Sequence, residues 1–252
     1  HIPVIGAVPR LPELELTMRH LGLVPFLEGV TAPGFSEKIT TLADRIAGHI
    51  DLDALIGLSA CSPPVPKSLD PVFKKPEVVD VKIGVALDEA FNFYYADLFD
   101  LLHTCGAEYI PFSPVRDRLP EADGYIIGGG YPEFFLAGLE ANERMRDAVR
   151  ERAAAGVPFY TECGGLMYLT DRIVVRAGWQ ERERDESFSM CGIFSGETVM
   201  PARRVVSYVE GESLGNNPLG SGHFRGHEFH YSDVLLSPDT KYSYILSRGR
   251  GI

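Results

Sequence analysis

The sequence predicts an α/β domain with a doubly wound, mostly parallel sheet, and two observations carry that prediction. Between residues 81 and 169, short apolar runs of strand length alternate with helical stretches. That is the pattern of parallel strands joined by crossover helices. Two of the runs lead into glycine-rich segments, Gly128-Gly129-Gly130 and Gly164-Gly165. Open parallel sheets build their sites at the carboxyl edge, where such segments would fall.

Taken in order, the chain opens on an apolar run, Ile2–Val8, that reads as a strand already inside a fold. Phe35, Ile39, Leu42, Ile46 and Ile50 recur at spacings of three and four, one apolar stripe of a helix. Two such elements cannot bury a core alone, so residues 1–62 are expected to pack on something else. Pro63, Pro64, Pro66, Pro71 and Pro76, with Lys67, Lys74 and Lys75, mark 63–80 as a linker and the best domain boundary. In 81–252, strands are expected at Val81–Leu87, Glu108–Phe112, Gly124–Ile127 and Val157–Thr161. Helices are expected at Phe93–Cys105 and Asn142–Ala155, the latter stopped by Gly156 and Pro158, and from Leu166–Leu169 onward. From about Met190 the texture turns β-rich, with Val199, Val205–Val209 and Phe224–Tyr231. The start at His1 and the stop at Gly249-Arg250-Gly251-Ile252 read as those of a fragment or of the ordered part of a longer chain.

A net charge of −11 argues against nucleic acid and anionic membrane surfaces as partners. No apolar run reaches the length of a bilayer span, and no signal peptide opens the chain. The four cysteines, Cys61, Cys105, Cys163 and Cys191, contain no C-x-x-C pair, so a metal site is not expected. Their wide spacing suits reduced thiols and a cytoplasmic setting. Three of the four are expected to be inert, buried side chains.

Cys163 is the exception. It stands between an apolar strand and a short helix, followed by two glycines. That is the layout of a nucleophile elbow, where a sharp turn projects the side chain and only small neighbours fit. A helix terminus there would favour the thiolate, and the Gly164 N–H would point at a developing oxyanion. Position alone equally allows a packed cysteine beside a glycine turn. The glycines 128–130, including Gly129 and Gly130, are expected to free the backbone to present N–H groups to a substrate. In Gly226-His227-Glu228-Phe229-His230-Tyr231, a strand would put Glu228 and His230 on one face. A cysteine needs an imidazole partner, and His230 is a candidate, as is a purely hydrogen-bonded histidine.

These segments together resemble one family. Lys82–Leu169 is similar to the glutaminase domain of the cobyrinic acid a,c-diamide synthases, a class I glutamine amidotransferase-like fold. The resemblance is carried by Ala90-Phe91-Asn92-Phe93-Tyr94-Tyr95, by Gly128–Glu133, by Thr161–Leu169 and by Arg225–Ser232. Residues 1–62, with Arg19-His20-Leu21-Gly22-Leu23, resemble the end of the family's ATP-dependent amidoligase domain. The resemblance implies that Cys163 attacks glutamine and that Gly129, Gly130 and Gly164 serve the oxyanion and substrate. The ammonia would amidate the a and c carboxylates of cobyrinic acid, a tetrapyrrole, in an ATP- and Mg2+-dependent reaction of cobalamin biosynthesis. The family's phosphate loop has no counterpart here, as no Gly-Lys dipeptide occurs. ATP and Mg2+ are therefore expected on another part of the enzyme and no cofactor on this chain. The family carries a Tyr-x-His element after a stretch like Arg248–Ile252, so the base lies either at His230 or past Ile252. Ser232 stands where a common glutaminase motif places a carboxylate. The same chemistry on nickel-sirohydrochlorin, and a non-catalytic binding domain that kept the elbow, are the alternatives. A homodimer is compatible with this reading.

Overall fold

The structure, a computed structural model, describes residues 2–12, 34–64, 73–74, 76, 78–215, 217 and 220–251. The Arg19–Leu23 motif and much of the proline-rich stretch lie outside the described residues. The chain divides into two units, His1–Val72 and Phe73–Ile252.

In the first unit, α1 (Phe35–Ala47) and α2 (Leu52–Ala60) contain no fully buried residue. The stripe of α1 holds Phe35, Leu42 and Ile46 half-buried. Helix α2 was not expected from the sequence, because Leu52–Ala60 is apolar nearly all round and shows no stripe. Its start is capped by Asp51, whose side chain accepts from Ala54 N at 2.9 Å. The strand expected at Ile2–Val8 is replaced by a single antiparallel bridge between Gly6 and Ile50. Ile2 and Val4 are 93% and 88% exposed, so among the described residues the run joins no ladder.

The second unit holds the parallel core. Its first half runs β1 (Val81–Ala86), β2 (Phe91–Phe93), α3 (Ala96–Thr104), β3 (Ala107–Phe112), β4 (Gly124–Ile127) and β5 (Gly129–Gly130). Then follow α4 (Leu136–Ala141), α5 (Glu143–Ala154), β6 (Phe159–Thr161) and α6 (Gly164–Leu169). Strands β3-β1-β4-β6 pair in that order, all parallel. From β1 the chain goes out to β3, then returns past β1 to β4 and β6. This reversal falls between β1 and β4, the kind of switch point at whose carboxyl ends open α/β sheets take ligands. Every strand of this sheet was anticipated to within about two residues.

The β-rich remainder builds two further sheets. It comprises β7 (Thr170–Val175), β8 (Glu186–Ser189), β9 (Phe194–Met200), β10 (Val205–Ser213), β11 (His223–His230), β12 (Asp233–Leu236) and β13 (Tyr244–Arg248). A mixed sheet runs β12-β9-β7-β8, in which only β7 and β9 are parallel. An antiparallel sheet runs β11-β10-β13.

Helix α5 explains how the core closes. Its Asn142 N-cap accepts from Met145 N, Gly156 leaves the helix at φ 84, and Met145 and Val149 point inward one turn apart. They join Phe91, Ile127, Tyr168 and Ile173 in one apolar cluster. Of the cysteines, only Cys191 is buried. Cys61 and Cys105 are exposed because each ends a helix, as the C-cap of α2 and of α3. The expectation that all three would be packed away fails for those two.

Candidate active site

Strand β6 ends at Thr161, and α6 begins at Gly164. Between them Cys163 takes φ 49 and ψ −109, a left-handed conformation that costs a non-glycine residue about 1–3 kcal/mol. Its surroundings over-determine it. Glu162 N donates to Ile127 O at 3.1 Å, and Gly165 N donates to both Glu162 O (2.8 Å) and Gly128 O (3.1 Å). Met167 N donates to Cys163 O at 3.2 Å. A side chain at 165 is excluded, since its Cβ would lie 2.1 Å from Ile127 O.

Facing the elbow is the two-residue strand β5, paired antiparallel with β2 through Phe91↔Gly130 and Phe93↔Gly129. The three glycines were expected to supply backbone freedom. None of them has a positive φ, so the reason for glycine is proximity. A Cβ on Gly130 would lie 2.0 Å from Ala90 O, and one on Gly128 would lie 2.6 Å from Tyr94 Cε1. A Cβ on Gly129 would meet Cys163 Cβ at 3.5 Å, and one on Gly164 would meet Pro132 Cδ at 2.9 Å. Gly129, Gly130, Gly164 and Cys163 thus meet at one spot, and the backbone N–H groups of Gly164 and Gly130 lie near enough to the thiol to favour its charged form.

The thiol is not poised as the helix-terminus argument expected. Burial pushes its pKa up, the two backbone N–H groups pull it down, and the Glu133 and Glu162 carboxylates push it up again. The net direction is upward. The residue reaches solvent at its outer side, and the protein beneath it still withholds enough water to disfavour charge. Helix α6 has only six residues, and its weak dipole is opposed by those two carboxylates.

Three residues without a role assigned from the sequence shape the site. Asp88, two residues past β1, is 3% exposed and accepts from Ala90 N (2.8 Å), Phe91 N (3.0 Å) and Ser113 Oγ (2.7 Å). It fixes the turn that carries Ala90 against Gly130. Burial raises its pKa, against the pull of these bonds. Tyr94 donates its hydroxyl to Ala86 O at 2.6 Å and accepts from Gly128 N at 2.8 Å. Glu162 accepts the Tyr160 hydroxyl, and that contact, after burial, raises the tyrosine's pKa. An acidic residue directly after a predicted strand was a usable turn signal for Asp88. Tyr94 stood in the Ala90–Tyr95 motif that carried the resemblance, which gave it no role.

His230 ends β11, opposite Val205. Glu228 and His230 share the more shielded face of the strand, as period two requires. The Nδ1 of His230 donates to the Ser232 carbonyl at 2.8 Å, which leaves Nε2 unprotonated in the neutral ring. Nε2 stands 4.0 Å from Glu228 Oε2. Glu228 in turn accepts from Arg250 N (2.6 Å) and Gly251 N (3.1 Å). A backbone carbonyl, not a carboxylate, therefore orients this imidazole.

A cysteine elbow at the carboxyl edge of a parallel sheet, faced by a close-packed glycine strand, is the arrangement of a triad-type glutamine amidotransferase domain. Residues 82–251 match the CobB/CobQ-like glutamine amidotransferase domain, and the chain belongs to that family. It is 45% identical to the cobyrinate a,c-diamide synthase of Methanosarcina barkeri, over all of this chain and 54% of that protein. It is 42% identical to the Methanosarcina acetivorans protein of the same name, over 100% of this chain and 54% of that protein. For the Listeria monocytogenes protein of that name the identity is 40%, over 98% of this chain and 53% of that protein. The chain spans about half the length of these curated relatives. Among the described residues no helix is long and apolar enough to cross a membrane.

Proposed function

We propose that this chain is the glutaminase part of an ATP-dependent enzyme that amidates the a and c carboxylates of cobyrinic acid, with Cys163 as nucleophile. The observation that carries the reading is the Cys163 elbow, with Gly129, Gly130 and Gly164 packed closely around it. The relatives' name supplies the macrocycle and the second half-reaction. Residues 1–62 are read as the end of the amidoligase domain and 63–80 as the linker that joins it to 81–252.

The chemistry follows from the geometry. The Cys163 thiolate adds to the γ-carboxamide carbon of glutamine, forming a C–S bond and moving the carbonyl π pair onto oxygen. Gly164, with Gly129 and Gly130, supplies N–H donors beside the sulfur, where that oxyanion develops. Collapse breaks the C–N bond, and the leaving nitrogen takes a proton and departs as ammonia. Water then cleaves the thioester to glutamate and restores the thiol. An imidazole must carry the proton. His230, with a basic Nε2, is the candidate within this chain. ATP and Mg2+ are assigned to the amidoligase part, which activates the acceptor carboxylates by phosphorylation.

The test is glutamate release from glutamine by the intact natural protein, with and without Cys163→Ala, coupled to amidation of cobyrinic acid. Loss of at least about 10³-fold is expected for the variant. Release that survives Cys163→Ala would overturn the nucleophile, and no release by the wild type would favour a non-catalytic binding domain. Amidation of nickel-sirohydrochlorin in place of cobyrinic acid would overturn the substrate. Turnover that survives His230→Ala would assign the imidazole to another part of the protein.

A further inference from the structure

We propose that Tyr94 is the positioning residue of this site: its hydroxyl sets the glycine strand at the height, relative to Cys163, at which an oxyanion is held. The inference rests on the reading of Cys163 as nucleophile. Tyr94 follows β2, and its hydroxyl joins two strand ends. It donates to Ala86 O, the last residue of β1, at 2.6 Å. It accepts from Gly128 N, the residue between β4 and β5, at 2.8 Å. The carbonyl of Gly128 accepts from Gly165 N at 3.1 Å, two residues beyond Cys163. One glycine is thus tied on its N–H side, through Tyr94, to the centre of the sheet, and on its C=O side to the helix behind the nucleophile. Gly129 and Gly130 follow it directly and inherit that placement.

The fit is specific to an aromatic hydroxyl. The ring lies on Gly128 so closely that a Cβ there would come within 2.8 Å of both Tyr94 Cε1 and Cζ. Phe99 backs the ring, with centroids 5.9 Å apart. Burial first, then the nearby Asp88 and Glu162 carboxylates, push the hydroxyl pKa up to about 12, against the pull of the Gly128 N–H. Tyr94 therefore stays a neutral donor and acceptor throughout the working pH range. Phenylalanine would keep the ring and leave the Gly128 N–H and the Ala86 carbonyl without this partner.

The experiment compares wild type and Tyr94→Phe in the intact natural protein. It follows glutamine hydrolysis, the affinity for glutamate γ-semialdehyde and the alkylation of Cys163 by iodoacetamide. The semialdehyde accepts the Cys163 thiolate at its carbonyl carbon, so its oxygen takes the place of the reacting amide oxygen. For Tyr94→Phe, kcat is expected to fall about 10- to 100-fold with KM within about threefold, because only transition-state placement is lost. Semialdehyde affinity should weaken by the same factor as kcat, while alkylation, which develops no oxyanion, should change far less. A kcat within about twofold of wild type, or a loss shared by KM and alkylation, would reduce Tyr94 to a packing residue.

If Tyr94→Phe does not fold, 4-aminophenylalanine at position 94 replaces it. That side chain donates to Ala86 O and offers Gly128 N a poor acceptor. A folded protein with depressed kcat supports the proposal, and a folded protein with wild-type kcat overturns it. Failure of the parent reading is separable. If wild type forms no semialdehyde adduct at Cys163, the nucleophile is wrong. If wild type forms it and Tyr94→Phe forms it equally well, only Tyr94 is wrong.

Discussion

Gly130→Ala is the sharpest probe of the glycine strand. The new Cβ would sit 2.0 Å from Ala90 O, 2.8 Å from Ala90 C and 2.9 Å from Phe91 Cα. All three are backbone atoms. They cannot swing aside, because Ala90 N and Phe91 N are both held by the buried Asp88 carboxylate, and Ala90 O also accepts from Tyr131 N at 3.0 Å. A Cβ does not settle closer than 3.0 Å to such atoms, so β5 must move off β2 by at least about 1 Å. That shift carries the Gly130 N–H away from the Cys163 sulfur. A misplacement of about 1 Å costs roughly 10²-fold in rate, which is about 2.7 kcal/mol of transition-state stabilisation. The assay is steady-state glutamate release, with circular dichroism as the check on folding. An alanine variant that keeps its fold and retains kcat/KM within about threefold of wild type would refute the reasoning. It would mean that β5 presents nothing to the reacting carbonyl.

Two further outcomes follow from the same site. Because the Glu162 carboxylate opposes the Cys163 thiolate, Glu162→Gln should move the pH profile of Cys163 alkylation to lower pH. A profile that stays put, or moves up, would contradict the electrostatic assignment. Asp88→Ala should cost about 3 kcal/mol in urea denaturation, since it strips partners from the buried Ala90 N, Phe91 N and Ser113 Oγ. A loss below about 1 kcal/mol would show that the turn holds itself.

The four strands of the parallel sheet were legible because both faces of such a sheet are buried, and buried strands read as short apolar runs between breakers. Cys163 and its glycine neighbours were legible because close packing leaves room for little else. Strands β2 and β5 were not. Gly129–Gly130 has no side chain to pattern, and Phe91–Phe93 is three residues held by a buried turn. Strand β8, Glu-Ser-Phe-Ser, has one large apolar residue, and β7 starts where α6 stops, without an intervening loop. Such pairing is decided by partners far along the chain. The same holds for Tyr94, whose two partners lie 8 and 34 residues away. Apolar sequence at Ile2–Val8 misled for the converse reason, since a strand-like run forms a ladder only where a partner edge is offered.

The upward pull on the Cys163 thiol changes what the elbow must do. Had the helix terminus lowered the pKa, the site would hold a standing thiolate and the glycine strand would need only to receive the oxyanion. If Cys163 is the nucleophile proposed above, burial and two carboxylates favouring the neutral thiol mean that ionisation accompanies attack, so the proton acceptor matters as much as the nucleophile. The Gly130 and Gly164 N–H groups beside the sulfur would then follow the negative charge as it moves from sulfur to the carbonyl oxygen. A resting neutral thiol is also slow to alkylate or oxidise, because reactivity follows the thiolate fraction. On the proposed reading, charge at Cys163 is thus favoured mainly when a carbonyl is present to take it, and turnover then rests on the placement of β5 and on the proton acceptor together rather than on the intrinsic reactivity of the thiol.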